Sequence, residues 1–440
     1  MKKIRHLAFL IINLCLLSNS SWARIDRDTV FDIYSVGNFE PSQVTNSGYV
    51  IGIDPTTAGV KYWSWNRDGD YHLLPETSLS DISWGPLFYD GNSIIGDSYL
   101  FTDTVSLADF PTSDLIVGTA SNNDWETRGI IKYSAGSASP SSELIPTLGG
   151  RWSKANAMID PGVIGAAENS IGQSRAIYYS PRLRLSSGRA DFGEITVLNQ
   201  CFPNYTNSSA NDSLTSFGSI TGTYQYGNTL NRTRSYYLVD IRAIDIDLAQ
   251  HCIDLGTLGG RETVASVISS VEITSEENPQ PIIAGWSRDG NNRQRAFSAL
   301  IHGGGAHPLS VEMTNLGTLT ASANSISAAT GVNFEGVVVG WSRDLAESDS
   351  KAFVFIPGVG MRDLNTLLRD GTGEWNLIRA NYISKQNEYI VGVGYYTPRI
   401  PLMKGSTVSG YIWGKTTLQG FILTPSVRMD EKETLFVQKK

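Results

Sequence analysis

The chain has 440 residues, of which 41% are hydrophobic and only 18% charged, with a formal charge of −8. Glycine (43), tyrosine (19) and tryptophan (10) are abundant, a composition that suits many short strands joined by tight turns and excludes a helical bundle. An acidic chain without basic runs argues against nucleic acid, and against anionic membranes, as partners.

The N-terminus reads as a secretory signal. Lys2, Lys3 and Arg5 precede an uncharged, largely apolar run, Leu7 to Leu17, and Ser21-Trp22-Ala23 supplies small residues for cleavage after Ala23. The run is too short to span a bilayer, which takes about 20 residues. Cys15 lies inside it behind Asn13-Leu14, unlike a lipid-attachment site. Residues 1–23 are thus expected to be a signal peptide, and 24–440 one mature domain in the periplasm or at the cell surface. Loss of Lys2, Lys3 and Arg5 moves the formal charge from −8 to −11. No later segment has the length and apolarity of a transmembrane helix. Two cysteines remain, Cys201 and Cys252. An even count in an oxidising compartment suggests a disulfide, with two buried thiols as the alternative.

The mature chain repeats. A strand-like run ending in glycine recurs as YVIGI at 49–53, LIVGT at 115–119, VIGAA at 163–167, SITGT at 219–223, IIAGWS at 282–287, VVVGWS at 337–342 and YIVGVG at 389–394. A polar turn and a second apolar run come next: KYWSW at 61–65, RGIIKY at 128–133, RAIYY at 175–179, RSYYLV at 234–239, RAFSAL at 295–300 and KAFVFI at 351–356. After the last copy the partner is degenerate, near GYIWG or GFILT. The six intervals from Gly52 to Gly392 average about 57 residues. NSIIGD at 92–97 is a candidate eighth copy without a clear partner.

Each pair reads as a β-hairpin, with Asp289-Gly290 expected to take the positive-φ position in one turn. LIPTLGG at 144–150, DLGTLGG at 254–260 and NLGTL at 315–319, with the segments after them, are expected to add two short strands per unit. A four-stranded unit cannot bury both its faces alone, so copies must stack, and radial stacking makes a β-propeller. Seven blades is the expectation, while six and eight fit the same spacing. DTVFDIY at 28–34 is expected to pair with the last blade and so remove open sheet edges. The polar, Asn- and Ser-rich stretch 199–213, with sequons at Asn204, Asn207 and Asn211, reads as a long loop pinned by Cys201.

The LGTLGG, VVGWS and RAF elements resemble the bacterial HAF extracellular repeats, most closely over 254–356 and next over 144–180. The family's Ile-Asn step after the LGG element is missing, the matching stretches reading ASVISS at 265–270 and SANSIS at 322–327. The resemblance implies export and a propeller-like fold, and it implies no activity.

Chemical signatures are weak. No H-E-x-x-H, C-x-x-C or G-x-S-x-G occurs. The serine of GWSRDG at 285–290 recurs in GWSRD at 340–344, and duplication argues against a nucleophile. Gly414-Lys415-Thr416 lacks the leading glycine of a phosphate loop. His302 and His307 are a close pair without a third metal ligand. Asp245 and Asp247 alternate in RAIDIDLA and so share a strand face. No catalytic residue, metal site or cofactor is expected. Trp286 and Trp341 are the candidate ligand contacts, weighed against inter-blade packing because they occupy one repeat position. The expectation is a non-enzymatic binding module for a protein or glycan. The alternative is a polysaccharide-cleaving propeller whose carboxylates converge from several blades.

Overall fold

The protein is described by a computed structural model over residues 25–427, apart from 39, 45–47, 55–58, 66–70, 74–87, 90–93, 96–114, 122–126, 134–140, 160–161, 181–193, 199–204, 215–217, 228–231, 240–250, 272–279, 305–306, 348–349, 370–372, 386–388 and 405. The β-branched and aromatic runs form strands, and no α-helix occurs among the described residues. Strand β1 (Thr29–Gly37) is not part of the first sheet. That sheet is β2 (Glu40–Val44), β3 (Tyr49–Asp54), β4 (Gly59–Trp65) and β5 (Tyr71–Leu73). The second contains β6 (Phe88–Tyr89), β7 (Ile94–Ile95), β8 (Leu115–Ser121), β9 (Thr127–Tyr133) and β10 (Ser141–Leu144). The third is β11 (Gly149–Ile159), β12 (Gly162–Asn169), β13 (Ser174–Ser180) and β14 (Glu194–Val197), joined to the second by one parallel bridge, Trp152 to Thr127.

The fourth sheet is β15 (Tyr205–Leu214), β16 (Ser219–Tyr226), β17 (Thr233–Leu238) and β18 (Cys252–Asp254). The fifth is β19 (Gly259–Val271), β20 (Gln280–Asp289), β21 (Gln294–Gly304) and β22 (His307–Gly317). The sixth is β23 (Ser325–Val332), β24 (Val338–Asp344), β25 (Lys351–Ile356) and β26 (Gly360–Asp363), with a 3-10 turn, Leu364–Leu367, after it. The seventh joins β27 (Trp375–Ile383) and β28 (Ile390–Tyr396) to the last strand, β31 (Thr417–Val427), with β1 at its edge. Between β28 and β31 a two-stranded ribbon is inserted, β29 (Arg399–Lys404) and β30 (Thr407–Trp413).

Six of the seven sequence copies give the second and third strands of a sheet, and the degenerate partner of the seventh is GFILT, inside β31. DTVFDIY pairs with β31 as expected, from Thr29–Val427 to Gly37–Gly420. Three expectations are corrected. Ile94–Ile95 pairs with β8 inside the second sheet, so NSIIGD starts no eighth unit among the described residues. The Leu-Gly-Thr-Leu segments are mostly linkers, with Asp254 ending β18 and Asn315–Gly317 ending β22, whereas the segments after them form the next sheet's first strand as expected. Residues 205–213 are not loop but the first strand of the fourth sheet. Their polar side chains obscured the strand because they bond within the sheet and to the neighbouring ones. Asn207 Nδ2 donates to Gln225 Oε1 at 2.9 Å, and Ser174 N donates to Asn207 Oδ1 at 2.9 Å. Asn204 lies outside the described residues.

One local design recurs. In five sheets the marker glycine leaves room for the facing strand's carbonyl: a Cβ on Gly165, Gly222, Gly285, Gly340 or Gly392 would lie 1.9, 2.2, 2.0, 2.1 or 2.1 Å from a backbone oxygen. Opposite each glycine is a small residue, Ala155, Ala210, Ala265, Ala329 or Ala380. The next residue is a β-bulge, which bends the strand and re-aims its side chain. In four of these sheets that side chain grips the next sheet at its own bulge. Asn156 Nδ2 donates to Ala210 O (2.7 Å), Asn211 Nδ2 to Ala265 O (2.8 Å), Thr330 Oγ1 to Ala380 O (2.7 Å) and Asn381 Nδ2 to Pro41 O (2.6 Å). The arginines of the third strands stitch in the same direction: Arg175 Nη1 donates to Thr206 O at 2.7 Å, and Arg295 Nη1 to Ser325 O. Asn211→Ala should cost about 1–2 kcal/mol, the penalty of an unsatisfied buried acceptor. Urea denaturation would read it as a lower midpoint at unchanged slope.

Apolar clusters fill the gaps between sheets. Ile131, Ala155 and Ile177 lie between the second and third, Tyr237, Ile268 and Phe297 between the fourth and fifth, and Phe31, Val354 and Phe421 between the sixth and seventh. The first strand of a sheet contacts the sheet before it, and β2 contacts β27, β28 and β31 of the seventh.

Candidate functional site

The repeated serines singled out by sequence are explained by packing. Ser287 and Ser342 are buried and do one job. Leu258 N donates to Ser287 Oγ at 3.0 Å and Leu319 N to Ser342 Oγ at 3.1 Å, so each GWS serine holds the Leu-Gly-Thr-Leu linker. Trp286 and Trp341 are half-buried at equivalent positions, opposite Val264 and Ala328. Arg288 stacks over the Trp286 ring at 6.0 Å, and the structure does not bring the two tryptophans into one contact. His302 Nε2 lies 3.4 Å from Glu312 Oε2 across an exposed hairpin. No three His, Cys, Asp or Glu side chains come together as metal ligands would, among the described residues. Asp245, Asp247 and Cys201 lie outside the described residues. Cys252, at the start of β18, faces Leu238 and packs at the edge of the third–fourth sheet cluster.

Two carboxylates inside the fold behave oppositely. Asp289 closes the β20–β21 turn, accepting from Asn291 N (2.9 Å), Arg293 N (2.9 Å) and Arg293 Nε (2.9 Å), with Arg295 Nε 3.5 Å away. The left-handed residue of this turn is Asn292, at φ 59°, and not Gly290 as the sequence suggested. Burial pushes the Asp289 carboxyl up, but the two amides and the Arg293 guanidinium outweigh it and hold it below the ordinary range. A depressed carboxyl contributes stability above its unfolded pKa and loses it as pH falls through the folded one. Asp289→Ala should therefore cost about 2–4 kcal/mol at neutral pH. The difference from wild type should shrink in acid, read from urea midpoints across pH.

Asp212 is raised instead. Burial outweighs the nearby Lys385 ammonium and the amides of Ile268 and Ser213. Lys385, from the β27–β28 connection of the seventh sheet, is buried and donates from Nζ to Ile268 O of the fifth sheet at 2.7 Å. This pair ties three sheets together.

The feature that packing does not explain is the β29–β30 ribbon. In the other six sheets the turn between second and third strands is four to six residues long; here it spans 397–416. It extends the β28–β31 ladder past its last pair, Tyr396–Thr417, anchored by Gly414 N donating to Pro398 O at 2.8 Å. Six cross-strand pairs, Arg399–Trp413 to Lys404–Thr407, give it a length of roughly 20 Å. Period-2 alternation sorts these residues into two faces. One carries Arg399, Pro401, Met403, Val408, Tyr411 and Trp413; the other carries Ile400, Leu402 and Ile412. Arg399 lies 5.1 Å from the Tyr411 ring and 5.5 Å from that of Trp413. Of the eleven large apolar side chains exposed among the described residues, eight fall between Ile400 and Leu418. Trp413 is 57% exposed and Tyr411 58%.

Sequence reasoning offered GYIWG as one possible partner strand and missed the ribbon. The signal was present: GYIWG and GFILT both offered themselves as the last partner strand because one of them is extra. No protein-family model matches the sequence, and a search of curated proteins finds no match.

Proposed function

We propose that the chain is an exported seven-bladed β-propeller that serves as a non-enzymatic binding module in the periplasm or at the cell surface, with the β29–β30 ribbon as its docking element. The propeller is supported by the serial contacts of the sheets and by β1 completing the last one. Kinship with the HAF repeats rests on the recurrent LGTL, GWS and RAF elements, which take the same structural parts in successive sheets. Export is supported by the residues of the N-terminal segment.

The observation that carries the binding reading is the ribbon itself. A two-stranded hairpin is marginal alone in water, and a contiguous exposed apolar surface marks an interaction site. Only one of seven homologous turns carries it, so the fold does not require it. The test replaces 397–416 by the fifth sheet's turn, Gly290–Arg293, and fractionates the exporting cells. The variant should melt like the wild type and shift from the envelope to the soluble fraction. Equal distribution of the two proteins would sink the reading.

A Cys201–Cys252 bridge belongs to the same proposal. It is supported by Cys201 and Cys252 being the two cysteines left after signal removal, an even count suited to an oxidising compartment. Peptide mapping without reductant should recover the two linked. Alkylation of both thiols in unreduced, denatured protein would disprove the bridge.

A further inference from the structure

The ribbon's chemistry narrows its partner, given that it is the docking element. Apolar side chains cover both of its faces. A flat protein or glycan surface would cover one face and leave the other in water, whereas a medium that surrounds the ribbon covers both. Local charge points the same way. Residues 397–427 include Arg399, Lys404 and Lys415 and no Asp or Glu, in a chain of net charge −8. Pairing with a second copy about a two-fold axis would set these cations against their own images, which favours an anionic partner instead. At the ribbon's base Tyr411 and Trp413 combine apolar rings with polar tips, the residue types enriched where bilayer meets water. We infer that the ribbon seats itself in the interfacial zone of an anionic lipid bilayer.

The backbone limits the depth. Among the described residues the outer edges of β29 and β30 pair with no other strand, and open edges are not tolerated in hydrocarbon. Headgroup and bound water at the acyl boundary, about 5–10 Å deep, can satisfy them. Pro401, on the β29 edge, has no N–H to satisfy. Lys404 at the tip and Arg399 at the base reach phosphates while their stems stay apolar. The acidic remainder of the protein does not cancel this attraction, because charges farther than about 8 Å are screened at physiological salt.

The experiment uses the mature protein purified from exporting cells, with its N-terminus sequenced. It is floated with vesicles of phosphatidylglycerol and phosphatidylcholine (about 3:7) and with pure phosphatidylcholine, at low and high salt. Expected are at least tenfold more binding to the anionic vesicles, a severalfold loss at high salt, a blue shift of Trp emission, and protection of the Lys404 bond from trypsin. The variant Leu402→Ser, Ile412→Ser, Trp413→Ser should lose the binding with unchanged circular dichroism. Flotation of this variant like wild type, binding equal on both lipids, or no flotation of wild type would each overturn the lipid assignment. If wild type fails to float while the ribbon replacement still leaves the envelope fraction, docking stands and its partner is a protein. If neither responds, the docking reading falls as well.

Discussion

Gly285→Ala is expected to cost about 3 kcal/mol or more, a large part of the stability of any domain. The added Cβ would stand 2.0 Å from Val264 O and 2.9 Å from Ala265 Cα. Carbon and carbonyl oxygen normally approach to about 3.3 Å, so the strands must separate by more than an ångström. Neither obstacle is a movable side-chain end. Both are backbone of β19, fixed by the register shift between Ala265 and Val267 and gripped by Asn211 from the fourth sheet. Relief of the clash would therefore open the sheet and its neighbour's anchor together. Gly340→Ala and Gly392→Ala meet Ala328 O and Arg379 O at 2.1 Å and should behave alike. Gly290→Ala is the control, since nothing lies within 4 Å of its added Cβ and its φ is not positive; it should stay within about 0.5 kcal/mol. Urea midpoints of Gly285→Ala and Gly290→Ala that coincide would refute the carbonyl-contact account.

The marker glycines were legible because a steric demand met at the same place in five sheets leaves the same residue in each of those copies. The apolar runs around them were legible for the same reason, and the N-terminal strand was suggested by its composition. What was illegible answers to long-range geometry. The run YTNSSANDS carries few apolar residues, yet it is strand β15, because Asn207, Ser208 and Asn211 exchange hydrogen bonds with the sheets on either side. The Ala-Asn, Ala-Ser and Ala-Thr steps at 155–156, 210–211, 265–266, 329–330 and 380–381 look ordinary until each is seen opposite a marker glycine. The ribbon escaped notice because its strands satisfy the same local rules as the sheet strands, and only the absence of a sheet to cover them sets Ile400, Leu402 and Trp413 apart.

Phe31→Ala should destabilise by about 3–5 kcal/mol, the range for emptying a fully buried aromatic site. Phe31 is 0% exposed and packs in the cluster between the sixth and seventh sheets with Leu364, Leu377 and Phe421. Its carbonyl also accepts from Arg369 N at 2.9 Å, so the residue holds β1 against the sixth sheet's exit as well as against β31. The consequence exceeds a cavity. Strand β1 covers the edge of β31 over the whole of 29–37, and Ser35 Oγ donates to Gln419 Oε1 at 2.6 Å across 384 residues of sequence. Loosening β1 uncovers an apolar strand edge, a template for pairing between molecules. Phe31→Ala should thus unfold at lower urea and aggregate on heating, and removal of 25–38 should give a protein that aggregates at room temperature. A synthetic peptide of residues 25–38 added to the truncated protein should restore its solubility, and the same peptide with Phe31→Ala should not. A truncated protein that stays monomeric and melts like the wild type would show that β1 is an accessory strand, leaving the sheets to close without it.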